Sequence, residues 1–213
     1  MSTVEVTDKN KIALLQQLSQ TGDGTPRYAD FVGGVVGCNG THGQISWQAE
    51  SDKGAVLGAV LYGGSFVGGV AGYNAPTGEL SRCVSGSWLL VNKSDGIGVG
   101  TGGIVGMNES EKDLSYLLNQ AFVGRQLKQQ NTSRFAGGII GTQSNKTTSD
   151  WTIENCINYG TVYGYLSHYS GGIVGQWTNN GGTVEDCYNY GNLQTTYAAN
   201  WVGASGGIVA QLY

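Results

Sequence analysis

Charge is scarce in this chain: 12% of its 213 residues are Asp, Glu, Lys or Arg, about half the usual share, and the formal net charge is −4. With no basic run of any length, this charge argues against binding to a phosphate backbone, and no nucleic-acid partner is expected. No apolar stretch approaches the ~18 residues needed to span a bilayer as a helix, so no membrane insertion is expected. The N-terminus shows no basic region followed by an apolar one, the pattern of a secretion signal. Proline occurs twice and histidine twice, as His42 and His168. Four cysteines without a CxxC pair do not make a metal ribbon, and no metal or other cofactor is expected. No Gly-x-Ser-x-Gly elbow and no P-loop lysine pattern occurs.

Glycine is abundant instead, 37 of 213 residues, more than twice the ~7% average. The glycines lack the every-third-residue period of collagen, and the Val/Ile runs between them exclude a flexible linker. They keep a longer clock. Gly33-Gly34-Val35-Val36-Gly37 recurs as Gly68-Gly69-Val70-Ala71-Gly72, Gly102-Gly103-Ile104-Val105-Gly106 and Gly137-Gly138-Ile139-Ile140-Gly141. Two more copies are Gly171-Gly172-Ile173-Val174-Gly175 and Gly206-Gly207-Ile208-Val209-Ala210, so the first glycines step by 35, 34, 35, 34 and 35 residues. A period of this size marks a solenoid or an array.

Each repeat holds three short apolar segments. The first is Glu79-Leu80-Ser81-Arg82-Cys83 and its equivalents, such as Thr152-Ile153-Glu154-Asn155-Cys156. The second is the less regular Gly160-Thr161-Val162-Tyr163-Gly164, and the third is the glycine element. All are too short for helices and rich in β-branched residues, so each reads as a strand. Residues 111–120 carry leucines at helical spacing but share the register of the first segment, and are read as strand. The predicted fold is all-β: a right-handed parallel β-helix of about six coils, with glycine pairs at corners where no Cβ fits. A left-handed helix of about 18 residues per coil is disfavoured because no six-residue period is present. Within residues 1–27, Ile12, Leu14, Leu15 and Leu18 recur at helical spacing, predicting a capping helix ahead of the repeats at 28–213. At the other end further repeats or domains, or a partner, are expected to cover the last coil.

Cys83, Cys156 and Cys187 each follow an aliphatic residue by three places and are expected to stack as small buried groups, with a disulfide between rungs as the alternative. Gly98 to Gly103 satisfies G-x-G-x-x-G but runs into the repeat's own aliphatics rather than into a helix, so it is read as part of the scaffold. Both histidines read as turn residues. The N-x-[ST] sequences at Asn39, Asn92, Asn108, Asn131 and Asn145 likewise read as polar turns.

Two constellations point to function. Glu154 and Glu185 share a place in the repeat, point outward and would lie about 5 Å apart, near the carboxylate separation of retaining glycosidases. Eight of the twelve tyrosines lie beyond residue 150, and Tyr159 and Tyr190 share a repeat position. With Trp177 they are expected to form an exposed aromatic edge suited to a sugar or a protein partner.

The segments Ile153-Glu154-Asn155-Cys156-Ile157-Asn158-Tyr159-Gly160 and Val184-Glu185-Asp186-Cys187-Tyr188-Asn189-Tyr190-Gly191, with the Gly-Gly-Ile-Val-Gly core, resemble the GLUG repeat of large secreted and surface-attached bacterial proteins. The first three copies keep the glycine element and lose part of the Asn-Cys element. The resemblance implies a right-handed β-helix on an exported, adhesin-like protein at the cell surface or outside the cell. It implies no catalytic residue. The expected function is therefore a non-enzymatic structural or binding module whose partners are host glycans or proteins. A carbohydrate-active enzyme or a phage tail-fibre segment is the alternative.

Overall fold

A computed structural model describes residues 30–46, 55–56, 60–91, 100–124, 134–144, 150–164, 169–178, 181–195 and 203–212. These residues form a parallel β-solenoid without helices. One coil runs Phe66–Gly68, Ala71–Asn74, Glu79–Ser81, Val84–Ser85 and Trp88–Val91, and Gly100–Gly102 then begins the next directly beside Phe66–Gly68. The coil thus contributes one strand to each of five sheets, numbered 1 to 5 here in that order. Sheets 1 and 2 contain six strands, and sheets 3, 4 and 5 contain five. Gly33, Gly68, Gly102, Gly137, Gly171 and Gly206 are successive register partners in sheet 1, so the clock in the sequence is the rise of the solenoid.

Three strands per coil were expected and five are present. The first predicted segment holds one strand and then a residue in the left-handed region, and a further strand begins just past its end: Arg82, Tyr116, Asn155 and Asp186 have φ of 54°, 55°, 54° and 46°. Each links a strand of sheet 3 to one of sheet 4. Residues 1–27, the expected helical cap, lie outside the described residues.

The glycine element forms the sharp bend between sheets 1 and 2. A Cβ on Gly138 would collide with the carbonyl of Gly172 on the next coil and with the Asn158 side chain. A Cβ on Gly141 would come within 2.6 Å of the Gly106 carbonyl on the coil before. Backbone therefore packs against backbone, and any side chain would hold the coils apart. Because the chain bends here, two consecutive aliphatics point inward. Ile104, Ile139 and Ile173 are fully buried, and so are their successors Val105, Ile140 and Val174. Burying such a side chain contributes about 1.5–3 kcal/mol.

The interior has two apolar lobes. The larger holds those aliphatics with Leu80, Leu114, Leu117, Ile153 and Cys156, and the smaller holds Val67, Ala121, Val123, Ala136 and Val162. Between them Asn119, Asn158 and Asn189 face Gly103, Gly138 and Gly172 across a narrow waist. The three amides are chained, Asn119 donating to Asn158 at 2.7 Å and Asn158 to Asn189 at 2.8 Å. A second chain runs up the end of sheet 2, from Asn39 to Asn74 to Asn108 to Gln143, at 2.7, 2.7 and 2.9 Å. Asn39 and Asn108 are therefore buried rungs at strand ends rather than the polar turn residues their N-x-[ST] context suggested. Each amide satisfies its neighbour, which is what allows polar side chains in a dry interior.

Candidate functional site

Sheet 4 presents an outward face rich in aliphatic and aromatic side chains. Alternation sets it: Asn158 and Asn189 point inward, so the residues on either side of them point out. Ile157 and Tyr188 are register partners, with Leu118 and Val84 continuing the same row on the two coils before. Tyr159 and Tyr190 form the next row. Tyr159, Tyr188 and Tyr190 are 53%, 51% and 64% exposed. Their rings are nearly parallel. Tyr159 and Tyr190 lie 5.3 Å apart at 16°, and Tyr188 and Tyr190 lie 6.2 Å apart at 10°. Tyr190 is thus the middle ring of three. Tyr116, also exposed, stands at the corner leading into this sheet with Arg82 over its ring at 5.9 Å.

Trp177 is not on this face. It is 4% exposed and stacks on Trp151 inside the larger lobe, the rings 5.1 Å apart at 17°. Its register partner is Gln143, so it takes the inward position that Asn39, Asn74 and Asn108 occupy on earlier coils. Tyr188 is the ring that sequence reasoning passed over. Its alternation with Asn189 and Tyr190 was the available signal.

Glu154 and Glu185 are register partners in sheet 3, directly above Ser115 and Ser81. Their strands are parallel neighbours, which sets an interstrand spacing of about 4.8 Å. Thr152 and Thr183, on the same outward side, share a hydrogen bond of 3.2 Å. His42 is an exposed turn residue with φ 64°, and its N–H donates to Thr77 Oγ1 at 3.0 Å. His168 lies outside the described residues. Gly100–Gly102 is a strand followed by the strand Val105–Asn108, so the G-x-G-x-x-G there opens no helix. Among the described residues no three His, Cys, Asp or Glu side chains come together as metal ligands.

Cys83, Cys156 and Cys187 occupy an inward column at the start of sheet 4, whereas Cys38 is exposed in the strand Val36–Asn39 of sheet 2. Leu117 takes the rung between Cys83 and Cys156, as Leu118 N–H bonds Cys83 O and Ile157 N–H bonds Leu117 O. All four cysteines are free thiols. Burial pushes the Cys83 thiol up to about 11, against a smaller lowering by its contact with Ser81. No family model, curated protein or solved structure matches this chain.

Proposed function

We propose that the chain is a non-enzymatic structural and binding module of a bacterial cell-surface or secreted, adhesin-like protein, and that its sheet 4 face takes a carbohydrate. In this reading the solenoid is a right-handed parallel β-helix of about six coils with a helical cap formed by residues 1–27. The strong preference of parallel crossovers for the right hand supports that choice. The resemblance of the two Asn-Cys segments to GLUG repeats supports the surface assignment. One observation carries the binding role: three nearly parallel tyrosine rings, each about half exposed or more, on adjacent coils of a rigid sheet. Such rings lose little conformational entropy on binding, and they offer both apolar surface and hydroxyl groups to a sugar.

The test is a glycan array probed with the wild-type protein and with Tyr190→Ala. Binding to a defined glycan class that falls at least tenfold in the variant supports the reading. Binding that is unchanged by Tyr190→Ala removes the tyrosine face from it. The register of Glu154 with Glu185 favours one rival, hydrolysis of a glycosidic bond between two carboxylates. Oligosaccharide cleavage abolished by Glu154→Gln or Glu185→Gln would replace the non-enzymatic reading.

A further inference from the structure

Cys156 and Cys187 occupy the same place on adjacent coils. The pairs Glu154 with Glu185 and Ile157 with Tyr188 flank them in register. Tyr188 N–H donates to the Cys156 carbonyl at 2.9 Å, locking the two backbones side by side. Parallel neighbours stand about 4.8 Å apart, within the roughly 4.4–6.8 Å between Cα atoms that a disulfide spans. The Cys156 thiol donates to the Glu154 carbonyl at 3.1 Å and the Cys187 thiol to the Ile153 carbonyl at 3.4 Å, so the Cys187 side chain reaches across to the coil that carries Cys156. Access differs between them, because Cys156 is fully buried and Cys187 is half-buried.

We propose that Cys156 and Cys187 form a disulfide across adjacent coils by exchange with a low-molecular-weight disulfide, Cys187 attacking first and Cys156 resolving. The proposal stands on this geometry and is independent of the functional reading above. Cys187 is the sulfur that loses its proton, since it is the more accessible of the two and the adjacent Cys156 side chain and backbone hold its acidity up. Burial and the charges of Asp186 and Glu154 oppose this without reversing it. The adjacent Cys187 sulfur and burial keep the proton on Cys156. The Cys187 thiolate attacks one sulfur of the small disulfide, whose S–S bond breaks and whose other half leaves and takes up a proton. Cys156 then gives its proton to solvent and attacks the Cys187 sulfur, forming the protein S–S bond and expelling the second small thiol. Two protein thiols are oxidised by two electrons and the small disulfide is reduced to two thiols. Cys83 is outside the exchange because Leu117 fills the rung between it and Cys156.

The experiment treats the full chain with oxidised glutathione and follows it by intact mass and non-reducing peptide mapping. The expected product has lost two hydrogens, contains a peptide linking Cys156 to Cys187, and regains both thiols with dithiothreitol. Cys156→Ser is expected to stop at a stable glutathione adduct on Cys187. Three results overturn the proposal: a wild-type adduct that persists on Cys187 without the cross-link, a bond formed through Cys38 or Cys83, or a wild-type protein in which Cys156 and Cys187 both remain alkylatable after unfolding.

Discussion

Asn158 uses the whole capacity of its side-chain amide. It donates to Gly160 O at 2.9 Å and to Asn189 Oδ1 at 2.8 Å, while its own oxygen accepts from Asn119 at 2.7 Å and from Gly160 N–H at 3.1 Å. Asn158→Ala leaves Asn119 with an unused donor and Asn189 with an unused acceptor, both at the waist. The expected loss is about 2–4 kcal/mol, a fall in Tm of roughly 5–15 °C by calorimetry. Asn158→Asp is expected to cost more, because a carboxylate offers no donor to Asn189 and brings a charge into a dry site. A different residue-scale test uses pH. Burial raises the Cys83 thiol from its ordinary 9.0 to about 11, so the folded state holds its proton where the unfolded chain releases it. This contribution is complete below pH 9 and is lost as pH rises toward 11, amounting to about 2 kcal/mol. Denaturant titrations from pH 8 to 11 check it: Cys83→Ala is expected to fall less steeply than wild type over that range. Equal slopes would show that the thiol titrates normally.

At the scale of the element, the bend between sheets 1 and 2 is set by glycines that differ in what lies over them. Gly138 meets the next coil's backbone and the Asn158 side chain, whereas an added Cβ at Gly207 finds nothing within 4 Å. Gly138→Ala is therefore expected to destabilise by several kcal/mol or to prevent folding, and Gly207→Ala to leave Tm within a degree or two. Equal effects would mean that coil-to-coil contact is not what selects glycine. This element was the most legible part of the sequence because a steric exclusion admits one residue type, so the repeat stays visible. The corner between sheets 3 and 4 was hidden for the opposite reason. Arg82, Tyr116, Asn155 and Asp186 all adopt left-handed backbone there, but only Asn and Asp favour it from their own chemistry. The amide chains were missed because an Asn reads the same in a sequence whether its partner is water or another amide one coil away. The candidate face was half legible: Tyr159 and Tyr190 share a position that repeats, while the orientation of Trp177 depended on which strand position turns inward.

Across the whole molecule, each coil packs on its immediate neighbours, so a position's sensitivity follows from how many coils enclose it. The column Val35, Val70, Ile104, Ile139, Ile173 and Ile208 makes the point with β-branched aliphatics at a shared place. Val70, Ile104, Ile139 and Ile173 are at most 2% exposed, whereas Val35 is 54% exposed. Ile139 lies inside the larger lobe, with Ile104 and Ile173 on the flanking coils. Replacing Ile139 by Asp strands an unpaired carboxylate where no cation is at hand among the described residues of that lobe. The expected outcome is a loss of several kcal/mol, with an early denaturant midpoint or no cooperative transition at all. The same substitution at Val35 keeps its charge in water and is expected to shift the midpoint by about 1 kcal/mol or less. Far-UV circular dichroism through the denaturant titration reads both. An Ile139→Asp protein that unfolds with the wild-type midpoint would displace this column from the core, and with it the assignment of both inward aliphatics of the glycine element.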